Sequence, residues 1–177
     1  MSKGVFKLPN ITNEPIKSYA PGSPERKELK SQINHLRSIV ADVPMIIDGK
    51  DIRPPHDHHH LLGQYHQGDA SHVQMAIDAA LKAKPAWEKM GWESRAAIFL
   101  KAADLLTGPF RQRMNAVTML GQSKNAFQAE IDCVAELADF FRFNVKNMYE
   151  IYHMQPNSSP GIWNRTVWRP LEGFVFA

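Results

Sequence analysis

The feature that most restricts this chain is a long helix in its second half. Phe127, Ile131, Val134, Ala138, Phe141, Val145, Met148 and Tyr152 recur in alternating steps of four and three, one continuous stripe of a helix over about residues 125–152. Cys133, Phe140 and Phe143 lie on the other side. A helix apolar on two faces has to be sandwiched within a larger structure. A heptad-like stripe also fits a coiled coil, but one short run between Gly-rich and Pro-rich flanks does not sustain one.

The rest of the chain reads as shorter elements that could pack around that helix. Residues 1–23 are rich in Pro, Asn, Gly and Ser without a period and read as an extended arm. Ser23-Pro24-Glu25-Arg26 predicts a helix start, Ser as N-cap and Pro at the first helical position. Leu29, Ile33, Leu36, Ile39 and Val40 continue at helical spacing until Pro44. Met45 to Ile52 reads as a hairpin around Asp48-Gly49, and Leu61 to His66 as a third strand. From Asp69 a helix is expected, with Ser71 and Gln74 as a capping box and Val73, Ile77, Ala80 and Leu81 as its apolar face. Further amphipathic helices are expected over about Glu93–Leu106 and Phe110–Leu120. After the loop at 157–161, Thr166 to Arg169 and Gly173 to Ala177 read as strands, and the second is an apolar strand without a following neighbour. An apolar strand wants a sheet around it, so the reading expects a fragment of a larger domain. The fold class is α/β, mostly helical with a few short strands.

Composition narrows the function classes. The chain of 177 residues is 44% apolar and 10% aromatic, enough for a packed core. Its apolar runs, such as Ala96 to Leu100, fall far short of the ~18 residues of a membrane span. The net charge of +3 comes from interspersed charges, a solvated surface rather than a nucleic-acid footprint. Cys133 is the single cysteine, so no internal disulfide can form and a reducing compartment is expected. The N-terminus has no apolar h-region, and two lysines without arginine make a poor presequence.

Few residues look chemical. His56, His58, His59, His60, His66 and His72 crowd together, and on a strand His58 and His60 would share a face able to grip a metal. A closed zinc site wants four ligands, and only Asp57 and Asp69 are near, so the cluster reads as a polar turn and no metal is assigned. Cys133 sits mid-helix beside Asp132, which raises rather than lowers a thiol pKa, so it reads as a structural thiol. No GxGxxG, P-loop, GxSxG or HExxH occurs. Glu136 shares a face with Phe140 and Phe143, where a carboxylate is costly unless paired. It is either ion-paired or solvated, or it lines a pocket and accepts hydrogen bonds from an ammonium group. Asp132 and Asp139 carry the same choice, and Arg142 is expected to pair with Asp139 at i,i+3.

A family resemblance covers residues 13–177 in order. Asn13-Glu14-Pro15 with Gly22-Ser23-Pro24-Glu25-Arg26 resembles the opening of the delta-1-pyrroline-5-carboxylate dehydrogenases, a branch of the aldehyde dehydrogenases. Arg95 to Asp104 with Gly108-Pro109, Thr118 to Lys124, Gln128 to Asp132, and Arg169 to Val175 resemble them too. The most specific stretch is Ala135-Glu-Leu137 with Asp139 to Asn144.

The resemblance implies an N-terminal part of an aldehyde-dehydrogenase-like fold with its Rossmann-like sheet incomplete. Residues 24–177 then belong to the NAD-binding domain, and strands near 157–170 resemble the family's oligomerisation flap. It implies an enzyme that oxidises glutamate-γ-semialdehyde to glutamate with NAD in proline catabolism, as a homo-oligomer of the mitochondrial matrix. In such an enzyme a cysteine thiolate attacks the aldehyde and hydride passes to NAD. The nucleophile, the general base and the NAD contacts are expected beyond Ala177, so this chain alone should neither bind NAD nor turn over substrate. Cys133 does not match the nucleophile position; the family tends to carry a small residue such as Ala there. The helix carrying Glu136, Phe140 and Phe141 resembles the one that lines the substrate entry, which makes these three the expected substrate-binding residues. The rival expectation is a non-catalytic helical protein that binds a full-length subunit or another partner.

Overall fold

The computed structural model describes residues 6–43, 49–52 and 54–176. Among the described residues six α-helices dominate, with three short strands between the first two: α1 Pro24–Arg37, β1 Ala41–Val43, β2 Gly49–Ile52, β3 Gly63–His66, α2 Ala70–Lys89, α3 Trp92–Thr107, α4 Arg111–Gln122, α5 Ala126–Ala129 and α6 Glu136–His153. A π-helical turn, Glu130–Ala135, joins α5 to α6 without a break, so the expected long helix exists but is not uniform. None of the described helices is long and apolar enough to cross a membrane.

The helical spacing of apolar residues located the helices well, and local chemistry set their ends. Ser23 caps α1 by accepting the Arg26 amide at 3.3 Å, with Pro24 in the first turn, as the sequence suggested. The helix stops at Arg37 rather than at Pro44: Ile39 and Val40 are exposed, and the chain turns into β1. Strand pairing outcompetes the helical period here, because the Ala41 amide finds the Leu62 carbonyl at 3.0 Å. The capping box at Ser71 and Gln74 does not form. Asp69 is the N-cap of α2 instead, accepting both the Ser71 and His72 amides. A charged oxygen two residues earlier is the stronger acceptor for those orphan amides.

The sheet has the order β1-β3-β2, with β1 parallel to β3 and β2 antiparallel to it. The expected hairpin is therefore replaced. Its first strand, 45–48, lies outside the described residues, and Gly49–Ile52 pairs with the third strand, Gly49 opposite His66 and Ile52 opposite Gly63. Gly63 is required: a Cβ there would collide with the Ala41 carbonyl of the parallel partner. The strands expected at 166–169 and 173–177 are absent among the described residues. The Thr166 backbone instead pairs with the Gln155 side chain, amide to Oε1 at 2.8 Å and carbonyl to Nε2 at 3.4 Å. A strand needs a ladder partner, and no described segment supplies one.

Two cores hold the helices. Ala103 and Leu106 of α3 meet Val134 and Ala138, with Met114, Cys133 and Phe141 packed against them. Tyr19 and Leu29 meet Ala116, joined by Ile33, Leu36, Met119 and Ala126. Alanine recurs at these contacts, which lets helix backbones approach closely. In α2 no residue is buried; Val73 and Leu81 of its expected apolar face are 57% and 43% exposed.

Candidate functional site

The site begins with the π-helical turn. Asn125 and Gln128 form a capping box that fixes where the long helix starts. Glu130 then points into the protein and is fully buried, while Val134, Ala138 and Val145 must also be buried against the other helices. The Glu136 amide reaches back five residues to the Ile131 carbonyl, and the wider turn adjusts the register between them.

Immediately after that turn, Glu136 and Phe140 border an open groove of about 650 Å³. Asn13, Glu14 and Ile16 form one side of it, and Ile131, Ala135, Asp139 and Phe143 complete it. Glu136 is exposed, and its carboxylate makes no hydrogen bond or ion pair among the described residues. Among the described residues no basic side chain lines this groove. Lys124, on the far flank of Glu136, is held by Asp132 at 2.9 Å.

The three expected substrate-binding residues do not converge. Glu136 and Phe140 share the groove, but Phe141 turns to the other side of α6. There it packs on the Ala103–Val134 core and against Phe99, ring centroids 5.8 Å apart, on the edge of a separate apolar hollow. Phe140 also borders that hollow, so it lies between the two spaces, and Glu136 and Phe141 line no common one among the described residues.

The carboxylates near Glu136 are occupied. Asp139 does not pair with Arg142. It accepts the Asn13 side-chain amide at 2.7 Å and the Glu14 main-chain amide at 2.8 Å. Arg142 turns to Glu14 instead, at 2.7 Å. The N-terminal segment offers each partner a better-placed group than the next helical turn does.

Behind the groove lies a buried polar knot that helical periodicity does not reveal. Glu130 accepts from the Lys17 amide at 2.9 Å, the Tyr19 hydroxyl at 2.7 Å, Asn115 Nδ2 at 2.8 Å, and both Nε and Nη2 of Arg111. Arg111 also holds Glu14 Oε1 at 2.6 Å and the Pro15 carbonyl at 2.8 Å. Burial pushes the Glu130 carboxyl up, but the hydrogen bonds from Arg111, Lys17, Tyr19 and Asn115 outweigh it and hold the group below the usual carboxylate range. Tyr19 is pushed up to about 12, by burial first and then by its bond to the Glu130 charge. A carboxylate locked in its charged form by so many donors is structural. One signal was present in the sequence: Arg111 and Asn115 stand four apart, on one face of a helix that also buries Ala116.

The other chemical candidates are dispersed. Cys133 is half-buried, its Sγ 3.9 Å from the Met114 carbonyl, against the core. Residues 55–59 form turns, so the alternating strand geometry proposed for His58 and His60 does not arise. His56 meets Ser123 at 2.7 Å, His66 meets Asp42 at 3.1 Å and His72 meets Asp69 at 2.7 Å. Among the described residues no three His, Cys, Asp or Glu side chains converge on a point that could hold an ion.

Comparison with known proteins adds to this geometry. A family model described as "Aldehyde dehydrogenase family" matches residues 48–177. A delta-1-pyrroline-5-carboxylate dehydrogenase of Agaricus bisporus is 52% identical over 97% of this chain and 33% of that protein. The human protein named "Delta-1-pyrroline-5-carboxylate dehydrogenase, mitochondrial" is 41% identical over 94% of this chain and 31% of its own length. A crystal structure of the Mycobacterium tuberculosis delta-pyrroline-5-carboxylate dehydrogenase, bound with NAD and cobalamin, superposes with a TM-score of 0.94 at 42% identity. That superposition covers 98% of this chain and 34% of the other. The chain thus spans about a third of the length of the relatives it matches.

Proposed function

The chain belongs to the aldehyde dehydrogenase family, and on that premise we propose that it forms the N-terminal portion of an NAD-dependent dehydrogenase that oxidises glutamate-γ-semialdehyde to glutamate. The observation that carries the reading is the Glu136 carboxylate, exposed and, among the described residues, unpaired and without a basic side chain in its groove. An anion in that setting recognises a cation, and the α-ammonium of the substrate supplies one. Phe140 gives the groove an apolar side for the carbon chain. Phe141, packed on the core, lines the adjoining apolar hollow together with Phe140 and is proposed to contact the substrate from there.

The residues present do not fit a nicotinamide dinucleotide. Gly22, Gly161 and Gly173 have positive φ, but none follows a strand into a helix as a phosphate-binding turn requires. NAD use is therefore proposed for the longer protein, whose redox step it would supply, and no contact to it is assigned to these residues. The division into an arm at 1–23 and a dehydrogenase-type unit at 24–177, with residues near 157–170 as an oligomerisation flap, is proposed on the same footing. So are homo-oligomeric assembly and a mitochondrial location, the latter supported by relatives named as mitochondrial.

The test is Glu136→Ala in a full-length dehydrogenase carrying this segment. A lost hydrogen bond to a charged group is worth about 1.5–3 kcal/mol, so kcat/KM for the semialdehyde should fall about 10- to 100-fold. Oxidation of a plain aliphatic aldehyde should fall far less. Equal losses on both substrates would sink the assignment.

A further inference from the structure

Asp139 stands three residues beyond Glu136 and borders the same groove, yet the two carboxylates are not equivalent. Both Asp139 oxygens are taken, Oδ2 by Asn13 Nδ2 at 2.7 Å and Oδ1 by the Glu14 amide at 2.8 Å. Glu14 is fixed in turn between Arg111 at 2.6 Å and Arg142 at 2.7 Å, and Arg111 also grips the Pro15 carbonyl. Residues 13–15 have no helix or strand of their own, so these side-chain bonds are what holds them against α6. The same segment, through Asn13, Glu14 and Ile16, makes one side of the groove that Glu136 and Phe140 border.

We propose that Asp139 and Asn13 form a latch that positions this wall, so that the ammonium of the substrate is confined against Glu136. Asp139 is then a positioning residue: it touches the N-terminal segment and not the amine. This rests on the groove being the amine site. Loosening the wall leaves Glu136 in place but lets water and alternative poses compete for it, which weakens binding more than turnover.

Three variants of a full-length dehydrogenase carrying this segment test the idea: Asn13→Ala, Asp139→Ala, and the exchange Asn13→Asp with Asp139→Asn. Asn13 is exposed, so its truncation leaves the core intact. Losing a charge-assisted bond should raise KM for the semialdehyde about tenfold in each single variant, with kcat within about twofold. The exchange restores an amide-to-carboxylate pair and should bring KM back to within about threefold of the parent. Amide hydrogen exchange at Glu14 gives a second readout, expected to quicken in Asp139→Ala and to recover in the exchange. An unaltered KM in Asn13→Ala, or an exchange variant no better than the singles, overturns the latch. Glu136→Ala measured alongside separates the two failures. If it is selective for the amino substrate while Asn13→Ala is silent, the latch alone fails. If it weakens both substrates equally, the amine site fails and the positioning role with it.

Discussion

Glu130 opens the π-helical turn and Glu136 directly follows it, six residues on, and their surroundings could hardly differ more. Glu130 is fully buried and receives bonds from Lys17, Tyr19, Asn115 and Arg111. Glu136 is exposed on a groove and has no partner for its carboxylate among the described residues. Burying a carboxylate is expensive, and the cost is offset only when its lone pairs are satisfied and a cation sits close by. Leaving one unpaired is cheap only in water. The helix thus carries one acid bound into the protein and one left exposed on the groove.

The largest effect should come from breaking the buried member. Glu130→Ala leaves Arg111 buried at 3% exposure with, among the described residues, only Glu14 as an anionic partner. Losing one partner of a buried pair typically costs about 3–5 kcal/mol. For a chain of this size that lowers the thermal midpoint by roughly 10 °C, measurable by circular dichroism. A midpoint within a degree or two of the parent would mean that the knot does not hold the N-terminal segment to the helices.

Why that knot escapes a reading of the sequence is instructive. Its members are distant along the chain, with Lys17 and Tyr19 more than a hundred residues before Glu130. Periodicity reports only which neighbours share a face, and the four-and-three stripe ran straight through the π-helical turn without a sign of it. The helices at Trp92–Thr107 and Arg111–Gln122 were legible because their period is local. The sheet order was not, since strands of three or four residues carry no period and their pairing joins distant segments. Glu136 stands out in the sequence for the opposite reason to Glu130, as an acid on a face with Phe140, and its place on the groove follows from that local spacing alone. The loss of the expected Asp139–Arg142 pair follows the same logic, because its competitor, Glu14, lies far back in the chain.

A smaller effect sharpens the comparison through pH. Tyr19 is raised in the folded state to about 12, from near 10 in an unfolded chain. A raised folded value favours the protonated form on folding. The stability this contributes is therefore fully present below pH about 10 and lost as pH climbs from 10 to 12. Glu130 runs the other way: its lowered folded value gives stability present above the ordinary carboxylate range, near pH 4, and lost on acidification. The expected result is that Tyr19→Phe, already less stable at neutral pH, loses less further stability between pH 10 and 12 than the parent does. Denaturant melts at pH 8, 10 and 11.5 measure it. Parallel curves for the two proteins would show that Tyr19 does not share its proton with the Glu130 knot.

The smallest expected effect is on stability at Glu136, and it is the sharpest contrast of all. Removing an exposed carboxylate with no partner deletes no hydrogen bond and opens no cavity. Such substitutions usually fall within about 0.5 kcal/mol of the parent. Alanine is also the better helix former at a position just past the π-helical turn, which leans the balance slightly toward stabilisation. Groups kept for binding are often a little costly to the fold that carries them. Urea melts of Glu136→Ala beside Glu130→Ala therefore test whether two acids on neighbouring turns divide structure from recognition. A loss of 2 kcal/mol or more at Glu136 would place it with the structural acids, and a selective loss of the amino substrate would then need another explanation. An unmoved midpoint with that selective loss would assign Glu136 to the ligand alone.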